Sequence, residues 1–411
     1  MNLLIDFGAS RIKSVVIKNK ESEFTEIYET PGSIFNDTQG QIDLKFFKKS
    51  LINHLDHFSK INITKIIGCG EMHNFALASK QNIKYKNKFF SWRYSHPMTN
   101  VSLLELKKIG LEDFTKMALR PGLPSINLNC IKSEISGTEI IDILLFPSVF
   151  QLDGEKSLVN KSIAHSSGFY NLDGNVSSYF NKLRNFNFPT VVDDNQCKSL
   201  GSFKYKGKKI TIGSFIGDLQ AACIGSKLGA NEVLLNLGTG SQIIAIYNNK
   251  FSFGQELRPY INNQLLECIT HIPSGRHFNL WEKKLISLDL IQSREEFWNY
   301  INNIEHDEII DSQTSFKFEF NELGVKELAR SYKPDVRDFI LRLVSSYINQ
   351  YISLLKNKIN TFKIIKISGG IIHKIPGMKS KIESELKKDV IVEKESGILT
   401  LNGLREMLSL N

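Results

Sequence analysis

Short apolar runs alternate with glycine-bearing turns from the first residues of this chain. Residues 2–6 (NLLID) and 12–18 (IKSVVIK) read as two strands joined by the turn DFGASR, where Gly8 supplies the backbone freedom of a tight hairpin. A further apolar run, KIIGCG at 65–70, predicts another strand and leads into EMHNFAL. Helical spacing over about 100–118 precedes the Pro/Gly segment RPGLPSIN, and ILLFPSVFQL, SIAHSSGFYNLDG and FPTVVDDN then place turn residues between apolar pieces. Near residue 210 the pattern restarts. ITIGSFIGD reads as a strand ending in an acid, QAACIGSKLGA as a helix, and EVLLNLGTGSQIIAI as a second strand, small-residue turn and strand. VRDFILRLVSSYINQYISLLKNKI keeps apolar residues at helical spacing throughout, and FKIIKISGGIIHKIPGMKSKIESEL reads as strand, Gly-Gly turn and helix. Alternating strands and helices predict an α/β fold, and the likeness of the two hairpins predicts internal duplication. Two domains are expected, 1–210 and 211–411.

Composition narrows the function classes. With 41% apolar and 23% charged residues among 411, the chain is expected to bury ordinary cores rather than to be disordered. The net charge of +9 comes from scattered lysines without a basic block, so no nucleic-acid partner is expected. Asp6 interrupts the apolar start, and no run approaches the roughly eighteen residues of a membrane span, so neither leader nor membrane segment is expected. Cys69, Cys130, Cys197, Cys223 and Cys268 lie far apart without CxxC spacing, which suits reduced thiols and a cytoplasmic setting.

The candidate chemistry lies at the turns. Hairpin turns of small residues can aim several backbone N–H groups at one point and bind an anion, and DFGAS and LGTGS both meet that requirement. Neither is a Walker A loop or a GxGxxG turn. Asp6, flanked by apolar residues at a strand end, is a candidate magnesium ligand or a turn cap. Asp218 follows Gly217 at another strand end, where a carboxylate can act as a base toward a hydroxyl or cap the following helix. Gly369 and Gly370 sit between a strand and a helix, where bare backbone lets a flat ligand approach or lets the turn pack tightly.

Taken in order, DFGASRIKSVVI, IIGCGEMHNFAL, FIGDLQAACIGSKLG, LLNLGTGSQIIAI and ISGGIIHKIPGMKSKIESEL span nearly the whole chain. Together they resemble the FGGY family of carbohydrate kinases of the actin-like ATPase superfamily. GDLQ and ELRPYINNQLLECITHIPSGRHFN point to its sedoheptulokinase branch. The resemblance implies two ribonuclease-H-like domains around a central cleft, with ATP and Mg2+ as cofactors and a small sugar as substrate. A homodimer is compatible with it. By position, Asp6, Gly8, Ser10 and Lys13 fall on the first phosphate motif, Gly238, Thr239 and Gly240 on the second, and Gly369 and Gly370 on the adenosine motif. Asp218 falls on the catalytic base and, with Asp6, on the metal site; Glu71, Met72, His73 and Trp92 line the sugar side together with Asp218. The chain departs from the family at Ala9 (often Thr), Glu71 (Gln), and Tyr94 and His96 (the acid and arginine of WxDxR), and it lacks the C-terminal GAA motif. The implied activity is ATP-dependent phosphorylation of a sugar hydroxyl, with a ketose such as sedoheptulose as acceptor. The alternatives are a non-catalytic sugar or nucleotide sensor on the same fold and an actin-like or chaperone-like ATPase.

Overall fold

The structure, a computed structural model, describes all residues except 38, 81–82, 136–139, 151, 153–156, 196–198, 239, 249–255, 273, 306–307, 309–319, 322–323, 326–334, 395–397 and 409–411. It divides into two units. The first comprises Met1–Lys227, Glu256–Leu265 and Ile398–Asn411, and the second Leu228–Gln255 and Leu266–Gly397.

The central sheet of the first unit begins with the expected hairpin, Asn2–Phe7 paired antiparallel to Arg11–Ile17, with Tyr28–Pro31 beyond it. Lys65–Gly70 lies parallel on the other side of Asn2–Phe7, and Lys208–Gly217 lies parallel to Lys65–Gly70. Gly201–Tyr205 closes that edge as a hairpin partner. Buried-type parallel strands flanked by an antiparallel meander follow directly from continuous apolar runs such as KIIGCG beside alternating ones. A second, five-stranded sheet, including Phe75–Ala78, Lys88–Phe90 and Ile141–Leu144, belongs to the same unit. The core is aromatic, with Phe7 packed against Phe146, Phe150 and Phe215 at ring separations of 5.8, 5.0 and 6.2 Å. Each such fully buried ring contributes roughly 1.5–3 kcal/mol.

The second unit repeats the plan. Glu232–Leu237 and Ser241–Ile246 form the hairpin, Leu265–Ile272 continues the meander, and Ile364–Ser368 and Asp389–Val392 add parallel strands on the other side. The long helix Val336–Lys356 lays Phe339, Leu343, Tyr347, Tyr351 and Leu355 into its core. Apart from edge additions, both sheets therefore carry the same strand order, as the repeated hairpin predicts.

Two features differ from the sequence reading. The helical stretch at 100–118 breaks into Thr99–Lys108 and Leu111–Thr115 because Gly110, at φ 75°, turns the chain between them. The division falls after Lys227 rather than near residue 210, so Asp218 belongs to the first unit. Its strand is held by Lys65–Gly70, and its helix, Asp218–Gly225, packs on the C-terminal helix Leu399–Met407, which the sequence pattern did not announce.

Candidate functional site

Three neighbouring strands of the first unit end together. Asp6 pairs with Cys69, and Gly70 pairs with Gly217, so Asp6, the 69–71 segment and Asp218 gather at one end of the sheet. Side chains alternate across a strand, so while Phe7 enters the aromatic core, Asp6 emerges on the other face. Its Oδ1 accepts the Cys69 thiol at 3.4 Å and its Oδ2 accepts the Thr400 hydroxyl at 2.6 Å. Asp218 opens its helix and accepts Leu219 N–H at 2.8 Å. Gly217 beside it leaves room for the ends of two side chains, since a Cβ there would lie 2.3 Å from Gln220 Oε1 and 2.6 Å from Met72 Sδ.

These carboxylates are electrostatically uncomfortable. Burial pushes Asp218 up to about 7, helped by the negative charges of Asp6 and Glu71. Burial also raises Asp6, outweighing the bonds from Thr400 and Cys69 and the charge of Lys13. A partly exposed acid pair lifted in this way suits a group that must accept a proton near neutral pH.

On the segment that follows Lys65–Gly70, Glu71 is buried and both its oxygens are engaged: Oε1 accepts from Ser33 Oγ, and Oε2 from Trp92 Nε1 at 3.1 Å. Trp92 is thereby fixed in place, with the Arg93 guanidinium over its ring at 4.2 Å. His73 holds a left-handed backbone at φ 67°, a conformation uncommon outside glycine. Its Nδ1 donates to Ser166 O at 2.6 Å while Nε2 accepts from Arg120 Nη2 at 2.9 Å. Burial, then the Arg120 and Arg258 charges, keep this ring neutral. Arg120 Nη1 reaches Glu256 Oε1 at 2.5 Å, and the fully buried Arg258 reaches Glu256 Oε2 at 2.8 Å and Met72 Sδ at 3.8 Å. Burial alone would raise Glu256, yet the two guanidinium groups hold it well below the usual carboxylate range. This Arg120, Glu256 and Arg258 network escaped the sequence reading, although ELRP placed two charges within a β-type run. Tyr94 and His96 lie in a different neighbourhood: Tyr94 is buried near Tyr85, and His96 Nε2 bonds Glu134 at 2.8 Å.

The first-unit turn is backbone-built. Gly8 is required there, because a Cβ would lie 2.8 Å from Arg11 O. Gly32 N–H donates to Ser10 O at 3.0 Å and Ile34 N–H to Ala9 O at 2.8 Å, while Lys13 stands opposite Asp6 in register and 3.8 Å from Glu29.

In the second unit, Gly238 N–H donates to Gly240 O and Gly275 N–H to Gly238 O, both at 3.1 Å, and Thr239 lies outside the described residues. Gly369, at φ 100°, is required by the fold, since a Cβ would sit 2.3 Å from Leu237 O. Gly240 and Gly370 are different. Neither has a positive φ, and a Cβ on either meets nothing within 4 Å, so the fold itself does not demand glycine at these two points.

Among the described residues no three His, Cys, Asp or Glu side chains converge on a metal-sized site. Magnesium commonly takes only one or two carboxylates and completes its shell with water and phosphate, and the mutually repelling Asp6 and Asp218 are a fitting donor pair.

No protein-family model and no curated protein sequence matches the chain significantly. Solved structures match it in fold. A ligand-bound xylulose kinase from Lactobacillus acidophilus superposes with a TM-score of 0.74 at 16% identity, covering 100% of this chain and 90% of that one. Gluconate kinase from the same organism gives 0.75 at 16%, with the same coverage of 100% and 90%. Plasmodium falciparum glycerol kinase with ADP gives 0.72 at 12%, covering 98% and 88%. The chain therefore has the sugar-kinase fold of two actin-like, ribonuclease-H-like α/β domains.

Proposed function

We propose that the protein is an ATP-dependent carbohydrate kinase of FGGY type, with Asp218 as its general base. The observation that carries this reading is Asp218 itself: a partly exposed carboxylate at a strand end, beside a glycine, lifted to about 7 by burial and by Asp6. The resemblance of five ordered motifs and the fold shared with proteins named xylulose, gluconate and glycerol kinases support it.

In this reading the first unit binds the acceptor through Met72, His73 and Trp92, which Glu71 and the Arg120, Glu256 and Arg258 network hold in place. The second unit binds ATP on the bare backbone at Gly238, Gly240, Gly369 and Gly370, with Thr239 assigned to the same motif by its position in the sequence. Gly8, Ser10 and Lys13 bind phosphate at the first hairpin. Asp218 takes the proton of the sugar hydroxyl as its oxygen bonds to the γ-phosphorus, the bond from that phosphorus to the β-bridging oxygen breaks, and ADP leaves. Magnesium, held by Asp6 and Asp218, would offset the phosphate charge.

The acceptor proposed is a ketose, with a ketoheptose such as sedoheptulose first. The test is sugar-dependent ADP release across pentuloses, hexuloses, heptuloses, gluconate and glycerol. Release on one of these supports the kinase. ADP release without sugar identifies an ATPase that uses water, and binding without turnover identifies a sensor.

A further inference from the structure

The Asp6 carboxylate is held by two unequal bonds. The thiol of Cys69 is a weak donor at 3.4 Å, whereas the Thr400 hydroxyl makes a short O–H to carboxylate bond of 2.6 Å, the strong kind. Without the second bond the carboxylate would turn within the broad torsional well of an aspartate χ2.

Thr400 belongs to the C-terminal helix Leu399–Met407, and that helix is seated by backbone contact. A Cβ at Gly403 would lie 1.9 Å from Ala221 O, and one at Gly225 would lie 2.0 Å from Leu399 O. Two glycines thus let the C-terminal helix and the helix Asp218–Gly225 touch main chain to main chain on both sides. The element that carries the donor for Asp6 is the one locked onto the helix that begins with Asp218. A β-branched threonine in a helix also has few rotamers, so its hydroxyl arrives with little freedom.

From this arrangement we infer that Thr400 is a positioning residue: its hydroxyl orients Asp6 toward the magnesium-bound phosphate of ATP, and its helix ties that orientation to the placement of Asp218. The inference rests on the kinase reading above for its consequence in turnover, and on the hydrogen bond together with Asp6 as a magnesium ligand for its consequence in binding. Thr400→Val keeps the shape and removes the donor; Thr400→Ser keeps the donor and removes the methyl group.

The experiment measures ATP affinity by calorimetry with Mg2+ and with chelator for the full-length wild type and both variants, alongside sugar-dependent ADP release and unfolding temperature. In Thr400→Val the gain in ATP affinity conferred by Mg2+ should shrink by about 10–100-fold, the usual cost of losing a partner behind a metal ligand, and turnover should fall with it while the sugar KM holds. Thr400→Ser should restore both. An unchanged Mg2+ dependence in Thr400→Val overturns the inference, as does a Thr400→Ser protein as impaired as Thr400→Val, since packing of the methyl group would then be the cause. A wild type that binds Mg2+-ATP but phosphorylates no sugar counts against the kinase reading alone.

Discussion

The two hairpins share one backbone plan and differ in charge. In the first unit Asp6 stands opposite Lys13 and beside Cys69; in the second, Asn236 stands opposite Gln242 and beside Ser368. Even the neighbouring bond is repeated, with Cys69 Sγ donating to Asp6 Oδ1 at 3.4 Å and Ser368 Oγ donating to Asn236 Oδ1 at 3.3 Å. Each turn is also braced from the segment after its third strand, by Gly32 N–H on Ser10 O and by Gly275 N–H on Gly238 O. A duplicated frame with charge in only one copy separates two tasks. The charged copy can manage a metal and a proton, and the neutral copy can offer N–H groups to a polyanion without repelling it.

Breaking this asymmetry at its charged end should have the largest effect. Asp6→Asn makes the first copy resemble the second, and turnover should fall by about two to three orders of magnitude, the scale of losing one preorganised electrostatic contact. The reciprocal Asn236→Asp should leave folding intact and weaken ATP binding even with chelator present, because it sets a carboxylate beside the proposed phosphate turn, whereas Asp6→Asn should weaken only the Mg2+-dependent part. Calorimetry with and without Mg2+ and steady-state kinetics on the two variants check the pair, and equal effects on metal-free ATP affinity would dissolve the distinction.

The glycines sharpen the same comparison within the second unit. Gly369→Ala forces a side chain into a left-handed backbone against Leu237 O, so it should destabilise by about 1–3 kcal/mol. Gly240→Ala and Gly370→Ala meet open space and should stay within about 0.5 kcal/mol of the parent in stability. Their cost should appear in ATP affinity, at about tenfold or 1.4 kcal/mol each. Thermal unfolding with and without ATP reads both numbers.

The pH profile gives a smaller effect. Asp218 must lose its proton to act, and burial lifts it to about 7 before any cation binds, so kcat/KM should fall on the acid side, at a pH that drops below 7 as Mg2+ occupies the pair. The Asp6 charge contributes to that elevation, so residual activity of Asp6→Asn should keep its acid limb at a lower pH. A limb that does not move removes Asp6 as the cause.

A last effect belongs to stability alone. Asp194 is buried, accepts Ser162 N–H at 3.2 Å, and is raised from 3.8 to about 7 by burial. Its contribution is complete below about 4 and is lost as pH rises through about 7. Asp194→Asn keeps the cap without the charge, so its unfolding temperature relative to wild type should rise by a few degrees between pH 5 and pH 8.

What the sequence disclosed follows from distance along the chain. Asp6 with Gly8, Gly238 with Gly240, and Gly369 with Gly370 were legible because an acid or a glycine cluster interrupting an apolar run is a local signal. Met72 and His73 followed from the resemblance, and the structure adds that His73 already spends both ring nitrogens on Ser166 and Arg120. The Arg120 to Glu256 pair joins residues 136 positions apart and the Thr400 to Asp6 bond residues 394 apart, and no spacing rule reaches so far. The same long return of the chain explains the misplaced boundary near residue 210: the partner that claims the Asp218 helix for the first unit begins only at Leu399.

Asp218 tests the account most directly. Wild type and Asp218→Asn, both carried through ADP release with the sugar panel and through ATP calorimetry with chelator, should part by about two to four orders of magnitude in sugar-dependent turnover while metal-free ATP binding survives. Near-normal sugar phosphorylation by Asp218→Asn would contradict the account, leaving Asp218 a helix cap and placing the base elsewhere.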